Sequence, residues 1–249
     1  AYEAGSFHLL SALCALIGAV LIQIGTNFAN DYADWRKGVD TEKRLGPVRP
    51  VQSGLVPPET MRNAAAAVFA LTLLPGAYIV YRGGWPFAVI GAVSILCGVL
   101  YTAGPFPLGY TGLADVFVIV FFGPVACAGT YYVQALELPA QALAAGLAPG
   151  FLSTALLTVN NLRDIEEDRE AGKRTLAVRF GRAFAQWEYA GCMLAAAGLI
   201  PMLFFIVSAN RFMPLVTLLV LAPAAPAMET VFRRPRGPEL NKVLAATGK

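Results

Sequence analysis

The chain has 249 residues, 57% of them hydrophobic and only 14% charged, with 19 Lys and Arg against 16 Asp and Glu. A soluble domain usually carries about a quarter charged residues, so this composition excludes an ordinary soluble enzyme, and the small positive balance gives no basis for a nucleic-acid partner. His8 is the only histidine, and the four cysteines (Cys14, Cys97, Cys127, Cys192) lack the close spacing of a zinc or redox site; a histidine metal cluster and a Ser-His-Asp triad are both ruled out.

Apolar runs of roughly 18 residues or more mark membrane-spanning helices. Seven occur in chain order, at 8–30, 59–81, 85–102, 112–132, 140–162, 183–207 and 212–232. A soluble helical protein with buried central helices would not repeat a length near 20 in this way. The reading is an all-α, polytopic transmembrane helix bundle forming a single domain over 1–249. Trp35, Trp85 and Trp187 fall near helix ends, as interfacial anchors do. Gly123-Pro124 and Ala148-Pro149 lie inside helices and are expected to bend them. Asp115 reads as an acid at the start of the fourth helix, with the orientation of an arginine as its other possible role.

Alternate crossings place 31–58, 103–111, 163–182 and everything after 232 on one side. Of the 19 Lys and Arg, only Arg82 and Arg211 fall on the other. The positive-inside rule makes the first side cytoplasmic, which predicts a multi-pass protein of the cell inner (plasma) membrane with its polar loops in the cytoplasm.

Two of those loops match. "NFANDYADWRKGVDTEKRLGPVRP" (Asn27 to Pro50) and "TVNNLRDIEEDREAGKRTLAVRFG" (Thr158 to Gly181) each follow an apolar helix that turns polar in its last turns. In the first, Gln23, Asn27, Asn30 and Asp34 share one helical face; in the second, Thr154, Thr158, Asn161, Asp164 and Asp168 form a similar stripe. Asp31 and Asp34 are spaced to point the same way, as are Asp164 and Asp168. The likeness suggests an internal pseudo-repeat of about 8–102 and 140–232. Glu166, Glu167 and Glu170 read as solvated loop charges. The paired Asp and Asn do not, because ionisable groups at membrane depth are costly and line cavities or substrate paths.

Mg²⁺ takes oxygen ligands, keeps several waters, and binds through a few carboxylates plus substrate phosphates. Two Asp pairs can hold two Mg²⁺ ions bridged by a diphosphate, with Arg44, Arg49, Arg163, Lys173 and Arg174 neutralising the remaining oxygens. Metal and cations would stabilise diphosphate as a leaving group. At the headgroup level, with an apolar bundle behind it, such a site suits chemistry on a lipid diphosphate in the bilayer.

"NFANDYAD" and "NNLRDIEED" resemble the two Asp-rich motifs of the UbiA superfamily of intramembrane prenyltransferases. The broad pattern ends its first motif in Asp, but here Gly38 holds that position and Asp40 follows two residues later. With "GVDTEKRLGPVRPVQSG", "YTAGPFPLGY" and "GTYYVQ", this departure resembles the branch that prenylates 1,4-dihydroxy-2-naphthoate in menaquinone biosynthesis. The Tyr-x-x-x-Lys motif of many relatives is missing, since Pro105 stands four residues after Tyr101. The resemblance implies a nine-helix bundle, so the seven runs suggest a sequence trimmed at both ends, lacking a helix before Ala1 and one from near Lys242.

It further implies Mg²⁺-dependent transfer of a polyprenyl group from polyprenyl diphosphate to the aromatic acceptor with loss of CO₂, giving demethylmenaquinol. Asp31, Asp34, Asp164 and Asp168 would bind the metals with Asn27; Asn30, Asp40, Asn161 and Tyr101 would support the site. Alternatives are a related enzyme acting on 4-hydroxybenzoate, homogentisate or a tetrapyrrole, a CDP-alcohol phosphotransferase, and a divalent-cation transporter. The phosphotransferase motif opens on Asp-Gly, a pair absent from this chain. A transport path would cross the bilayer, whereas both polar stripes occupy cytoplasmic ends.

Overall fold

The computed structural model describes residues 1, 4–39, 45–201, 218–219, 221–233 and 237–248. Their regular elements are helices, and no strand occurs among them. Four helices are long and apolar enough to cross a membrane: Leu9–Lys37, Pro58–Gly83, Ala114–Ala135 and Ala140–Arg163, with Trp85–Leu100 shorter but equally apolar. The protein is an all-α, multi-pass membrane protein. The predicted runs at 183–207 and 212–232 lie only partly within the described residues.

The chain divides into two compact units, Ala1–Thr111 with Gly129–Leu138, and Gly112–Ala128 with Pro139–Lys249. In the first, α1 (Leu9–Lys37) packs on α2 (Pro58–Leu71), α3 (Leu73–Gly83) and α4 (Trp85–Leu100). Small residues let these helices approach. A Cβ on Gly25 would meet the Phe69 ring at 2.8 Å, and one on Gly98 would meet the Thr26 hydroxyl at 2.3 Å. The outward side of α1 presents Leu9, Leu13, Leu16, Ile17 and Val20, a face fit for lipid rather than water.

The ends of α1 are set locally. His8 caps its start by accepting the Ser11 N–H through Nδ1. Gly38 stops it in the left-handed region, at φ 66° and ψ 24°, returning its N–H to the Asp34 and Trp35 carbonyls. A glycine is what such a stop favours, and it accounts for the residue found where the broad family pattern has Asp. Gly38→Ala meets no atom within 4 Å, so its cost is backbone strain alone, about 1 kcal/mol. Thermal unfolding in detergent should show a melting temperature lower by a few degrees.

The second unit is built on α8 (Ala140–Arg163). Against it lie α6 (Ala114–Val120), the π-helical turn Phe121–Val125, and α10 (Leu176–Leu194). Between the last two in sequence come α7 (Ala126–Ala135) and α9 (Ile165–Glu170); a short α5 (Leu108–Thr111) precedes α6, while α11 (Leu221–Phe232) and α12 (Gly237–Thr247) follow α10. The core gathers Val159, Leu162, Ala185, Tyr189, Val231 and Leu240. The bend expected at Gly123-Pro124 is present, with Gly123 at φ −101° and ψ −111° inside the π-helical turn, whereas α8 continues as helix through Pro149. The segment between the fifth and sixth apolar runs is more ordered than a loop. It holds α9, and α10 already starts at Leu176, capped by the Thr175 hydroxyl and broken once at Gly181, φ 84°. Helix also begins at Gly237, ahead of Lys242.

Candidate active site

In the first unit, α1 runs seamlessly from its apolar turns into "NDYADWRK", so the helix itself carries Asp31 and Asp34. Both are buried, at 3% and 5% exposure. The segment after Pro47 folds back on them. Arg49 places its guanidinium Nη2 3.2 Å from the Asp34 carboxylate, and the Val51 N–H reaches Asp31 Oδ2 at 3.4 Å. Asn30, one residue before the pair, accepts the Thr102 hydroxyl at 2.8 Å. Lys37 donates to the Thr102 carbonyl and lies 4.5 Å from the centre of the Tyr110 ring, a cation–π distance. Tyr101 has its carbonyl on the Gly109 N–H, 2.9 Å away. Asn27 is exposed one turn before Asp31. Asp40 and Arg44 lie outside the described residues.

The second unit repeats the theme with other partners. Asp164 closes α8, and the preceding Arg163 forks onto it, Nε to Oδ1 and Nη2 to Oδ2, both 2.6 Å. The third nitrogen of that guanidinium donates to Asn241 of α12 at 2.9 Å. Arg163 is itself buried. Asp168 follows on α9, its N–H on the Asp164 carbonyl at 2.8 Å, and Lys173 closes on its carboxylate at 3.0 Å. Asn161 is half-buried one turn before Asp164, and Arg174 is exposed beside Lys173. Glu166 is exposed and pairs with the exposed Arg169, a contact worth little in water.

Each unit therefore brings together one of the sequence-predicted Asp pairs with at least one of the predicted cations. Lys37, Val51 and Asn241 join them without having been singled out. Their contacts depend on where distant chain returns, and no local pattern announces that. Glu188, on α10, also escaped notice, although a lone acid inside an apolar run was a usable signal.

Among the described residues, no three of His, Cys, Asp and Glu gather as a ready metal cage. The donor set in each unit is two carboxylates with amide oxygens near. That fits Mg²⁺, which completes its shell with water and substrate phosphate, and does not fit zinc.

The model of the UbiA prenyltransferase family matches residues 1–246. The chain is 43% identical to the 1,4-dihydroxy-2-naphthoate octaprenyltransferase of Mycobacterium tuberculosis, over 95% of this chain and 80% of that one. It is 35% identical to the enzyme of the same name from Haemophilus influenzae, over 95% of this chain and 78% of that one. Its fold resembles that of a UbiA homolog from Archaeoglobus fulgidus bound to DMAPP and Mg²⁺, with a TM-score of 0.69 at 20% identity over 97% of this chain and 84% of that one.

Proposed function

The chain belongs to the UbiA prenyltransferase family, and on that premise we propose that it transfers a polyprenyl group from polyprenyl diphosphate to 1,4-dihydroxy-2-naphthoate. The names of the relatives at 35% and 43% identity support the acceptor. The observation that carries the site is the two Asp doublets, with Asp31, Asp34 and Asp168 buried and Asp164 half-buried, each doublet with a Lys or Arg at 3.0–3.2 Å.

In this reading Asp31 with Asp34, and Asp164 with Asp168, each hold one of two Mg²⁺ ions, with Asn27, Asn30 and Asn161 as auxiliary oxygen donors. Bound Mg²⁺ supplies charge neutralisation for the departing diphosphate. Arg49, Lys173, Arg174 and Arg44 share that task, and Asp40 is a supporting residue. Arg163 is committed to Asp164 and Asn241, so its part is to orient that carboxylate rather than to reach the diphosphate.

The allylic C–O bond breaks with its electron pair leaving on the diphosphate oxygen. The ring carbon bearing the carboxylate bonds to the allylic carbon. The ring–carboxylate bond then breaks, its pair returns to the ring, and CO₂ departs. No proton need be moved in this balance, and the product is demethylmenaquinol. A dry helical interior keeps water from the allylic cation, and Tyr101 is a candidate neighbour of the acceptor. The Lys and Arg bias of the loops supports a cytoplasmic face of the plasma membrane for this chemistry.

The test is turnover of the purified chain in detergent with Mg²⁺, a polyprenyl diphosphate and 1,4-dihydroxy-2-naphthoate, following prenylated product and CO₂. Both should form in equal amounts. Chelation with EDTA should stop them, and added Mg²⁺ should restore them. Product from 4-hydroxybenzoate or homogentisate alone would move the acceptor to another ring. Failure with every prenyl diphosphate would overturn the prenyltransferase reading.

A further inference from the structure

The second unit contains two acids that the scheme above does not use. Asp115 sits in the first turn of α6 and is 4% exposed. Neither of its carboxylate oxygens has a hydrogen-bond partner among the described residues. Its own backbone N–H is near but out of hydrogen-bond geometry. Across from it on α10 is Glu188, which lies near the Thr158 side chain of α8 and close enough to Asp115 for the two charges to act on each other. The hydroxyls nearby are turned elsewhere. Thr154 donates to the Gly150 carbonyl at 3.0 Å and Thr158 to the Thr154 carbonyl at 2.9 Å. No Lys or Arg pairs with either acid among the described ion pairs.

A buried carboxylate with no donor is expensive and rare, so it calls for a ligand that brings donors. The place of the acids narrows the choice. Thr158 and Asp164 share α8, and six residues of helical rise separate them by about 9 Å. Thr154 in turn reaches the Asp115 carbonyl at 3.5 Å, so the acid pair lies against the polar stripe of α8, about two to three turns further into the helix than the second Asp doublet. Metal and diphosphate belong to the doublet. A hydroxylated ring belongs deeper, beside the reacting carbon.

Resting on the function proposed above, we propose that Asp115, backed by Glu188, is the acceptor-binding residue that takes the hydrogen bond of a ring hydroxyl. Such a bond orients the ring. It also leaves electron density on the phenolic oxygen, which raises the nucleophilicity of the ring carbon that attacks. A carboxylate with two vacant acceptor oxygens selects a hydroxylated ring over a bare one, because a site built to hydrogen-bond a hydroxyl rejects the analogue that lacks it.

The experiment uses the full chain in detergent with Mg²⁺, varying donor and acceptor separately. Asp115→Ala should raise the KM for 1,4-dihydroxy-2-naphthoate about tenfold to a hundredfold and leave the KM for the prenyl diphosphate within about twofold. Asp115→Asn, which keeps the volume, should give a smaller shift in the same parameter, and Glu188→Gln a smaller one still. As competitive inhibitors, 1-hydroxy-2-naphthoate and 4-hydroxy-2-naphthoate should bind the wild type unequally and Asp115→Ala equally. Melting temperatures of the Asp115 variants should match the wild type or exceed it, since an unpartnered acid adds no stability; a fall would assign Asp115 a structural role and overturn the proposal. An unchanged acceptor KM, or a donor KM that rises with it, would also overturn it while the transferase reading stands. A wild type that never uses the naphthoate would overturn both.

Discussion

Asp31→Asn and Asp164→Asn should each lower Mg²⁺-dependent prenyl transfer by a hundredfold or more, the loss typical of removing one group that stabilises charge in a transition state, roughly 10²–10³-fold. The Asn variants are the informative ones because they keep volume and one acceptor oxygen while deleting the charge a metal needs. The local structure says why Ala would mislead at one of the two positions. Arg163 is 4% exposed at its side chain and is forked onto Asp164 at 2.6 Å. Breaking a buried pair by removing one partner costs about 3–5 kcal/mol, and the 19% exposure of Asp164 discounts that figure. Asp164→Ala should therefore lose stability as well as activity. Asp31 accepts the Val51 backbone N–H at 3.4 Å, and Asp31→Ala should lose activity. Activity assays paired with thermal unfolding separate these effects. Retention of full activity in both Asn variants would remove the carboxylate pairs from the mechanism.

The largest effect on stability is expected at Gly150. This glycine and Gly146 form a Gly-x-x-x-Gly step on α8 where the kinked segment after α6 crosses it. A Cβ on Gly150 would lie 2.5 Å from the Ile119 carbonyl oxygen, one on Gly146 2.8 Å from Pro124 Cα, and one on Gly123 2.8 Å from the Gly146 carbonyl oxygen. Every one of these contacts is with backbone, so no side chain can swing away. Small residues at such spacing are how membrane helices approach closely. Gly150→Ala should cost about 1–3 kcal/mol by overpacking, and Gly150→Leu should leave little folded protein. Gly76→Ala is the control: it is also helical, has nothing within 4 Å of the added Cβ, and should be neutral or stabilising by about 0.5–1 kcal/mol. Equal melting temperatures for Gly150→Ala and Gly76→Ala would refute the close crossing.

Much of this was legible in the chain. Membrane helices must satisfy their own backbone hydrogen bonds over about 20 apolar residues, so length and hydropathy alone locate them. The run at 59–81 corresponds to Pro58–Gly83, and that at 140–162 to Ala140–Arg163. The Asp doublets were legible too, because charge at the end of an apolar helix is conspicuous against its surroundings. Less so were the partners. Arg49 meets Asp34 across 15 residues and Asn241 meets Arg163 across 78, separations over which composition and periodicity carry no information.

By itself, then, the sequence determined the helical class, the membrane setting, the family motifs and the residues able to bind metal, since each follows from local composition and spacing. Tertiary structure alone decided what each charge faces. It committed Arg163 to Asp164, packed glycine against backbone at Gly150, and left Asp115 opposite Glu188 without a donor among the described residues. Burial and pairing are properties of neighbours brought together from distant parts of the chain, and it is the neighbours that set the energy of a buried charge.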